Sequence, residues 1–316
     1  MKHPNTLVLL FSIVLTLCSG SCTPNQSEKA APRAQSKLLF NFDYTKVKEV
    51  VITRTGPEAR EQFNARLQHF GPGAEHWRIL SSSVPVLDSL ANGIFLEHLL
   101  DSIRTLKITA LGPSAPLETF GLHPPRFGIQ WKAEDTDFEI LFGDTQKNGS
   151  TYAMITKQGH GKGSAQVLLV RGAVQQLLLH LNSFEQLRFP NLSTLNIDEI
   201  DEFEISRNGK PVFYAQRQGS GWIDRKGQPK SAAQELLEKL NEQRITRYVD
   251  DQEQSRRVLP LFEKTSGYSI ALHSRRAEVI LLKARRDKYG VWSTVSSRPN
   301  AVFGISPEIL KRLDLL

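Results

Sequence analysis

Metal or acid–base chemistry would draw first on the eight histidines, at positions 3, 69, 76, 98, 123, 160, 180 and 273. A zinc site needs histidines, thiols or carboxylates at short, regular spacing. No two of these histidines stand one helical turn apart beside an acidic residue, and both cysteines, Cys18 and Cys22, fall within the first 22 residues. The run GHGKGSAQ, 159–166, lacks the Gly-x-x-x-x-Gly-Lys-Ser/Thr spacing of a phosphate loop and lies between two strand-like runs rather than at a helix start, so it reads as a hairpin loop. Neither Gly-x-Ser-x-Gly nor Ser-x-x-Lys occurs, which leaves open only a Ser–His–carboxylate set drawn from distant positions. The acidic run DEIDEFE, 198–204, reads as a turn and a solvated strand face rather than a calcium loop. These residues assign no catalytic, cofactor-binding or metal-ligating position, and no cofactor is expected.

Charge offers more. The net charge is +7, which favours anionic surfaces without indicating nucleic acid. Beyond Arg256-Arg257, the basic clusters are Arg275-Arg276 and Lys283, Arg285, Arg286 and Lys288, on either side of the apolar EVILL. If the flanking strands are neighbours, Arg275, Arg276, Lys283, Arg285, Arg286 and Lys288 form one basic end. That end is either plain solvated surface or a contact for anionic lipid heads or an acidic partner, worth about 1 kcal/mol per residue near a charged surface.

The first 22 residues differ from the rest. A short basic start, MKHPN, precedes the uncharged TLVLLFSIVLTL and then the small residues of CSGSC. The apolar run is shorter than the roughly 20 residues a membrane span requires, and the layout is that of a secretory signal peptide over 1–22. Cys22 follows Ser19-Gly20-Ser21 and precedes TPNQSEKAAPRAQS, an arrangement that resembles a bacterial lipoprotein cleavage site with Cys22 as the acylated first residue. The residue three before it is Ser19 rather than the usual Leu-like one, and the alternative is ordinary cleavage near Ser21 with a soluble product. Two or more acyl chains give stable attachment where one is marginal. Thr23 in place of Asp points to the outer membrane. Residues 23–38, rich in Ser, Pro, Ala, Gln and charge, read as a flexible tether.

The elements that follow recur. Asn41-Phe42-Asp43 leads into VKEVVITR, and Asn196-Ile197-Asp198 leads into IDEFEISR. EHWRIL around Trp77 answers SGWIDR around Trp222, and Pro85 and Pro229 follow. Each copy then enters a helix, marked by Phe95, Leu96, Leu99, Leu100, Ile103 and Leu106 in one and by Leu236, Leu237, Leu240 and Ile245 in the other. KITAL, FGIQW and FEILF match ITRYV, YSIAL and EVILL as strands. QVLLV before a helix with Val174, Leu177, Leu178 and Leu181 matches NAVFGI before one with Ile309, Leu310 and Leu313. Ser306, Pro307 and Glu308 suit the cap and first turn of that last helix. The expected fold is α+β: two tandem related modules, 39–190 and 191–316, each a mostly antiparallel sheet with two helices packed on it.

One stretch is more specific. LETFGLHPP, 117–125, follows the Trp–Pro–helix unit and precedes FGIQW, and Phe142-Gly143 and Gly149-Ser150-Thr151-Tyr152 come after. Gly121 is expected to end a helical turn in a left-handed conformation, and Pro124 and Pro125 to force an extended entry to the strand. On these residues the chain resembles a domain-of-unknown-function family of uncharacterised bacterial envelope proteins, often encoded beside ABC-transporter components of the kind linked to gliding motility. The resemblance covers most of 39–190 and, more loosely, 191–316. There LPLFEKTSGY keeps Leu259 and Phe262 but lacks the Gly-Leu and the final proline. It implies location and association, with no reaction and no catalytic residues. The expectation is therefore a non-enzymatic, extracytoplasmic lipoprotein. It would be held on the periplasmic side of the envelope by its N-terminal lipid and would bind other envelope proteins of a transport assembly. The alternative is a binding module for a cell-surface polymer or anionic lipid.

Overall fold

Alternation of apolar and polar residues builds the strands, and a one-residue slip at the head of each key strand sets their faces. In β1 (Val47–Arg54) Val47 and Val50 are both buried although three residues apart. A bulge against the neighbouring strand between Val47 and Glu49 brings them to one face. Beyond it Val50 and Ile52 continue the buried face with period two. In the computed structural model the described residues are 39–316 apart from 57–59, 112–113, 159–160, 163–165, 173–175, 177–180, 193–195, 251–257, 261, 263–266, 275–278 and 299–300. The predicted signal segment, the tether, Cys22, Arg275, Arg276 and most of the helix expected over 174–181 lie outside them.

The first half contributes β2 (Phe63–His69), β3 (Trp77–Ser82), helix α1 (Gly93–Arg104), β4 (Lys107–Leu111), β5 (Phe127–Ala133), β6 (Thr136–Thr145), β7 (Thr151–Gln158), the two-residue β8 (Gly161–Lys162) and β9 (Val167–Arg171). The second contributes β10 (Ile200–Arg207), β11 (Lys210–Gln218), β12 (Gly221–Ile223), α2 (Ala232–Asn241), β13 (Ile245–Tyr248), β14 (Tyr268–Ser274), β15 (Val279–Asp287), β16 (Gly290–Val295), β17 (Phe303–Ile305) and α3 (Glu308–Leu313). All the pairings within both sheets are antiparallel. The first sheet runs β3-β2-β1-β5-β6-β7-β9-β4, with β8 paired to β7, and the second runs β12-β11-β10-β14-β15-β16-β17-β13. The fold is α+β and mostly β.

The two orders coincide strand for strand, and local detail follows. β10 carries its bulge between Ile200 and Glu202, the position of the β1 bulge. A 3-10 turn precedes each strand, and its backbone is held by Asp43 in one case and Asn196 in the other, whose side chains accept from the amides of Thr45 and Asp198. Trp77 lies opposite His69 and stacks on it at 4.8 Å, and Trp222 lies opposite Arg217, whose guanidinium sits 4.5 Å over the indole. Both tryptophans are buried.

Helix α1 begins where the Asn92 side chain accepts from the Phe95 amide at 3.2 Å, and it buries Leu96, Leu99, Leu100 and Ile103 against the first sheet. Each such side chain contributes about 1.5–3 kcal/mol of transfer free energy. Helix α2 buries Leu236, Leu237 and Leu240 as expected. Ile245, which helix spacing would add to that stripe, opens β13, in line with the reading of ITRYV as a strand, because its amide donates to Pro190 at 2.8 Å and its strand pairs with β17. In α3 the Ser306 hydroxyl accepts from the Glu308 amide at 3.3 Å, and Ile309, Leu310 and Leu313 are buried.

The LETFGL element is structural. Leu117–Phe120 form a 3-10 turn closed by Gly121 at φ 65°, in the left-handed region as predicted. The turn lies so close to β6 that a Cβ at Gly143 would collide with the Phe120 carbonyl oxygen. Gly143→Ala is therefore expected to destabilise the protein by about 1–3 kcal/mol. Urea unfolding of the two proteins at matched m-values measures this.

Candidate functional site

Two arrangements of charged side chains stand out, one at the junction of the sheets and one at a corner of the second sheet. The junction is organised by the connector that leaves the first sheet. On one side the connector's Leu187 carbonyl accepts from Asn92 at 2.8 Å, and its Phe189 amide donates to Leu90 at 3.1 Å. On the other, the Pro190 carbonyl accepts from Ile245 at 2.8 Å, and the Leu192 amide donates to Gln243 at 2.9 Å. The connector is thus hydrogen-bonded to both halves.

Two ion pairs cross at the same place. Arg188 pairs with Asp250, whose other carboxylate oxygen accepts from the Leu87 amide at 3.3 Å. Arg298 pairs with Asp88, and it also donates to the Asn191 carbonyl at 2.7 Å. The side chains of Arg188, Arg298 and Asp88 are 2%, 3% and 6% exposed. Burial on that scale makes each charge costly without its partner. Aromatic faces complete the shell: Arg188 lies 3.6 Å over the Tyr248 ring and Arg298 lies 4.2 Å over Phe303. The Tyr248 hydroxyl donates to the Phe189 carbonyl at 2.7 Å. Burial pushes its phenol up to about 12. The Nε atoms of Arg188 and Arg298 are buried with no acceptor among the described residues, so the pairs align the halves more than they add net stability.

The corner is a cleft of about 320 Å³, lined by Arg207, Gly267, Tyr268, Ala284, Arg286 and Asp314 among others. Arg207, Tyr268 and Ala284 are neighbours in register across β10, β14 and β15. Arg286 lies two residues past Ala284 on the same strand face. The Tyr268 hydroxyl donates to Asp314 at 2.6 Å, and Arg207 reaches the same carboxylate oxygen at 3.1 Å. Burial and that bond to a carboxylate push the Tyr268 phenol up to about 12.

The predicted basic residues divide. Arg286 lines the cleft from the helix-covered face of the sheet. Lys283 and Arg285 alternate to the other face, where Lys283 donates to the Phe262 carbonyl at 3.4 Å and Arg285 stands opposite Trp292. Arg285 also borders the cleft. Lys288 sits in the β15–β16 turn with its ammonium 4.8 Å over Tyr289. Arg207, Tyr268 and Asp314, and all four junction charges, were missed in sequence. The one available signal was Arg207 closing the strand that answers Arg54. Among the described residues no three His, Cys, Asp or Glu side chains gather as a metal would need.

A two-sheet α+β body with an arginine-lined corner is the class of protein in hand. The chain belongs to the family known as domain of unknown function DUF4340, which matches residues 88–259, just over half of it. That span runs from Asp88 through the connector and past β13, so three of the four junction charges fall inside it. No curated protein and no solved structure matches the chain.

Removing one member of a buried pair strands the other. Asp88→Ala is expected to cost about 3–5 kcal/mol. In Asp88→Leu/Arg298→Met the loss should be smaller than the sum of the single changes, as denaturant titration of all four proteins would show. Because the Tyr248 phenol titrates higher folded than unfolded, its contribution is present below about pH 10 and is lost as pH rises towards 12. Unfolding free energies between pH 9 and 11 should fall less steeply in Tyr248→Phe than in the parent.

Proposed function

We propose that this chain is a non-enzymatic, extracytoplasmic lipoprotein built of two tandem related α+β modules. It is anchored on the periplasmic side of the envelope through Cys22 and acts as a protein-binding component of an envelope or transport assembly. The relatedness of the modules is supported by the shared strand order and by the matching bulges at the heads of β1 and β10. Anchoring is supported by the order of basic, apolar and small residues before Cys22 and by the polar tether after it.

The observation that carries the binding role is the locked junction. Four charges and a doubly bonded connector hold the sheets together, so the pair presents its surfaces at a fixed spacing, as a scaffold requires. A second reading, a module for a cell-surface polymer or anionic lipid, is favoured by the arginine-lined cleft.

Mass spectrometry of the mature N-terminus should find acylated Cys22 as the first residue, and Cys22→Ala should release the protein from membranes. Crosslinking in intact cells should then recover envelope proteins with the parent and fewer with the released variant. Recovery of the protein alone from both would refute the scaffold role, whereas an unmodified N-terminus would refute the anchor.

A further inference from the structure

Equivalent corners of the two sheets differ in what occupies them. In the first sheet the register triple is Arg54, Phe127 and Phe142, and in the second it is Arg207, Tyr268 and Ala284. Phe142 is fully buried and stacks on Phe127 at 5.8 Å, which fills the first corner. The residue before Phe127 is Arg126, which pairs with Asp144, two positions past Phe142. The same steps in the second sheet lead to Gly267 and Arg286.

Where the first corner has a phenylalanine ring and an arginine side chain, the second has Ala284, Gly267 and a cleft. Where the first corner has the paired Asp144, the second has Arg286, which makes no hydrogen bond or ion pair among the described residues. A Cβ at Gly267 would press on the Ala284 carbonyl oxygen, so this residue cannot refill the space.

We infer that this corner is a binding site for a phosphate group, held by Arg286 and Arg207 with the Tyr268 hydroxyl at its side. Guanidinium groups meet phosphate oxygens with paired, charge-assisted N–H donors. Arg207 spends one donor nitrogen on Asp314 and retains others. Leu310, Ala284 and the Tyr268 ring supply an apolar wall, which lowers the local dielectric and strengthens each charge contact. The cleft, at about 320 Å³, suits a headgroup-sized ligand. Asp314 opposes the bound anion, so it tunes the site rather than building it. The inference does not depend on the anchor or on the scaffold role.

The phosphate could belong to a soluble compound or to a lipid headgroup. Calorimetric titration of the full chain in neutral detergent with inorganic phosphate, and separately with short-chain phosphatidylglycerol, distinguishes the two. Saturable binding is expected with at least one probe. Tighter binding of the lipid points to a headgroup, and equal or weaker binding points to a soluble phosphate compound. Arg286→Gln should weaken binding about tenfold or more, whereas Asp314→Asn should tighten it. Ala284→Phe, which restores the ring found at Phe142, should abolish binding with the cooperative melt retained. No saturable binding of either probe, or binding that Arg286→Gln leaves unchanged, would overturn the assignment.

Discussion

Two buried arginines hold this molecule's halves in register. Arg188 and Arg298 sit beneath the surface with carboxylates contributed across the junction, Asp250 for one and Asp88 for the other. Desolvated guanidinium is tolerable only where its counter-charge is fixed. That requirement reaches outward: Asp88 must be held by the segment before α1, Asp250 by the segment after β13, and the connector must thread between them. The aromatic faces of Tyr248 and Phe303 close off the arginines, so the placing of β13 and β17 follows from the same constraint. Pairs of this kind do less for net stability than for uniqueness, since a misaligned junction would leave charge buried and unmatched.

On that frame two sheets of the same strand order differ at one corner. The bulge that puts Val47 and Val50 on a common face also serves Ile200 and Phe203, and the tryptophan at the third strand packs beneath a planar side chain in both. What differs is the treatment of the space beside the strand ends. The first half closes it with Phe142 and with the 3-10 turn that Gly143 admits. The second leaves it open beside Arg286.

Much of this was legible in sequence because it is written in short periods. Strand alternation, helix stripes at three and four residues and the left-handed glycine at 121 all depend on neighbours a few positions away, and the helix faces of Leu96–Ile103 and Leu236–Leu240 followed directly. Ile245 shows the limit of that signal: helix spacing continues the stripe onto it while ITRYV reads as a strand, and pairing with β17 decides for the strand. The junction left no local trace, since its partners stand 62 and 210 positions apart. The basic end was seen as a cluster, although adjacent residues of a strand point to opposite faces, and that alone separates Arg285 from Arg286. The cleft emerges only when register aligns Arg207, Tyr268 and Ala284 on three strands.

The connector's double engagement has a consequence for how this chain can be taken apart. Because Leu187, Phe189, Pro190 and Leu192 are bonded to one half or the other, the described residues of the connector, 187–192, offer no slack hinge at which a protease, a recombination event or a cloning boundary could divide the protein cleanly. Either fragment would carry away an orphaned guanidinium and a row of severed backbone bonds. Domain shuffling should therefore move the two sheets only as a unit.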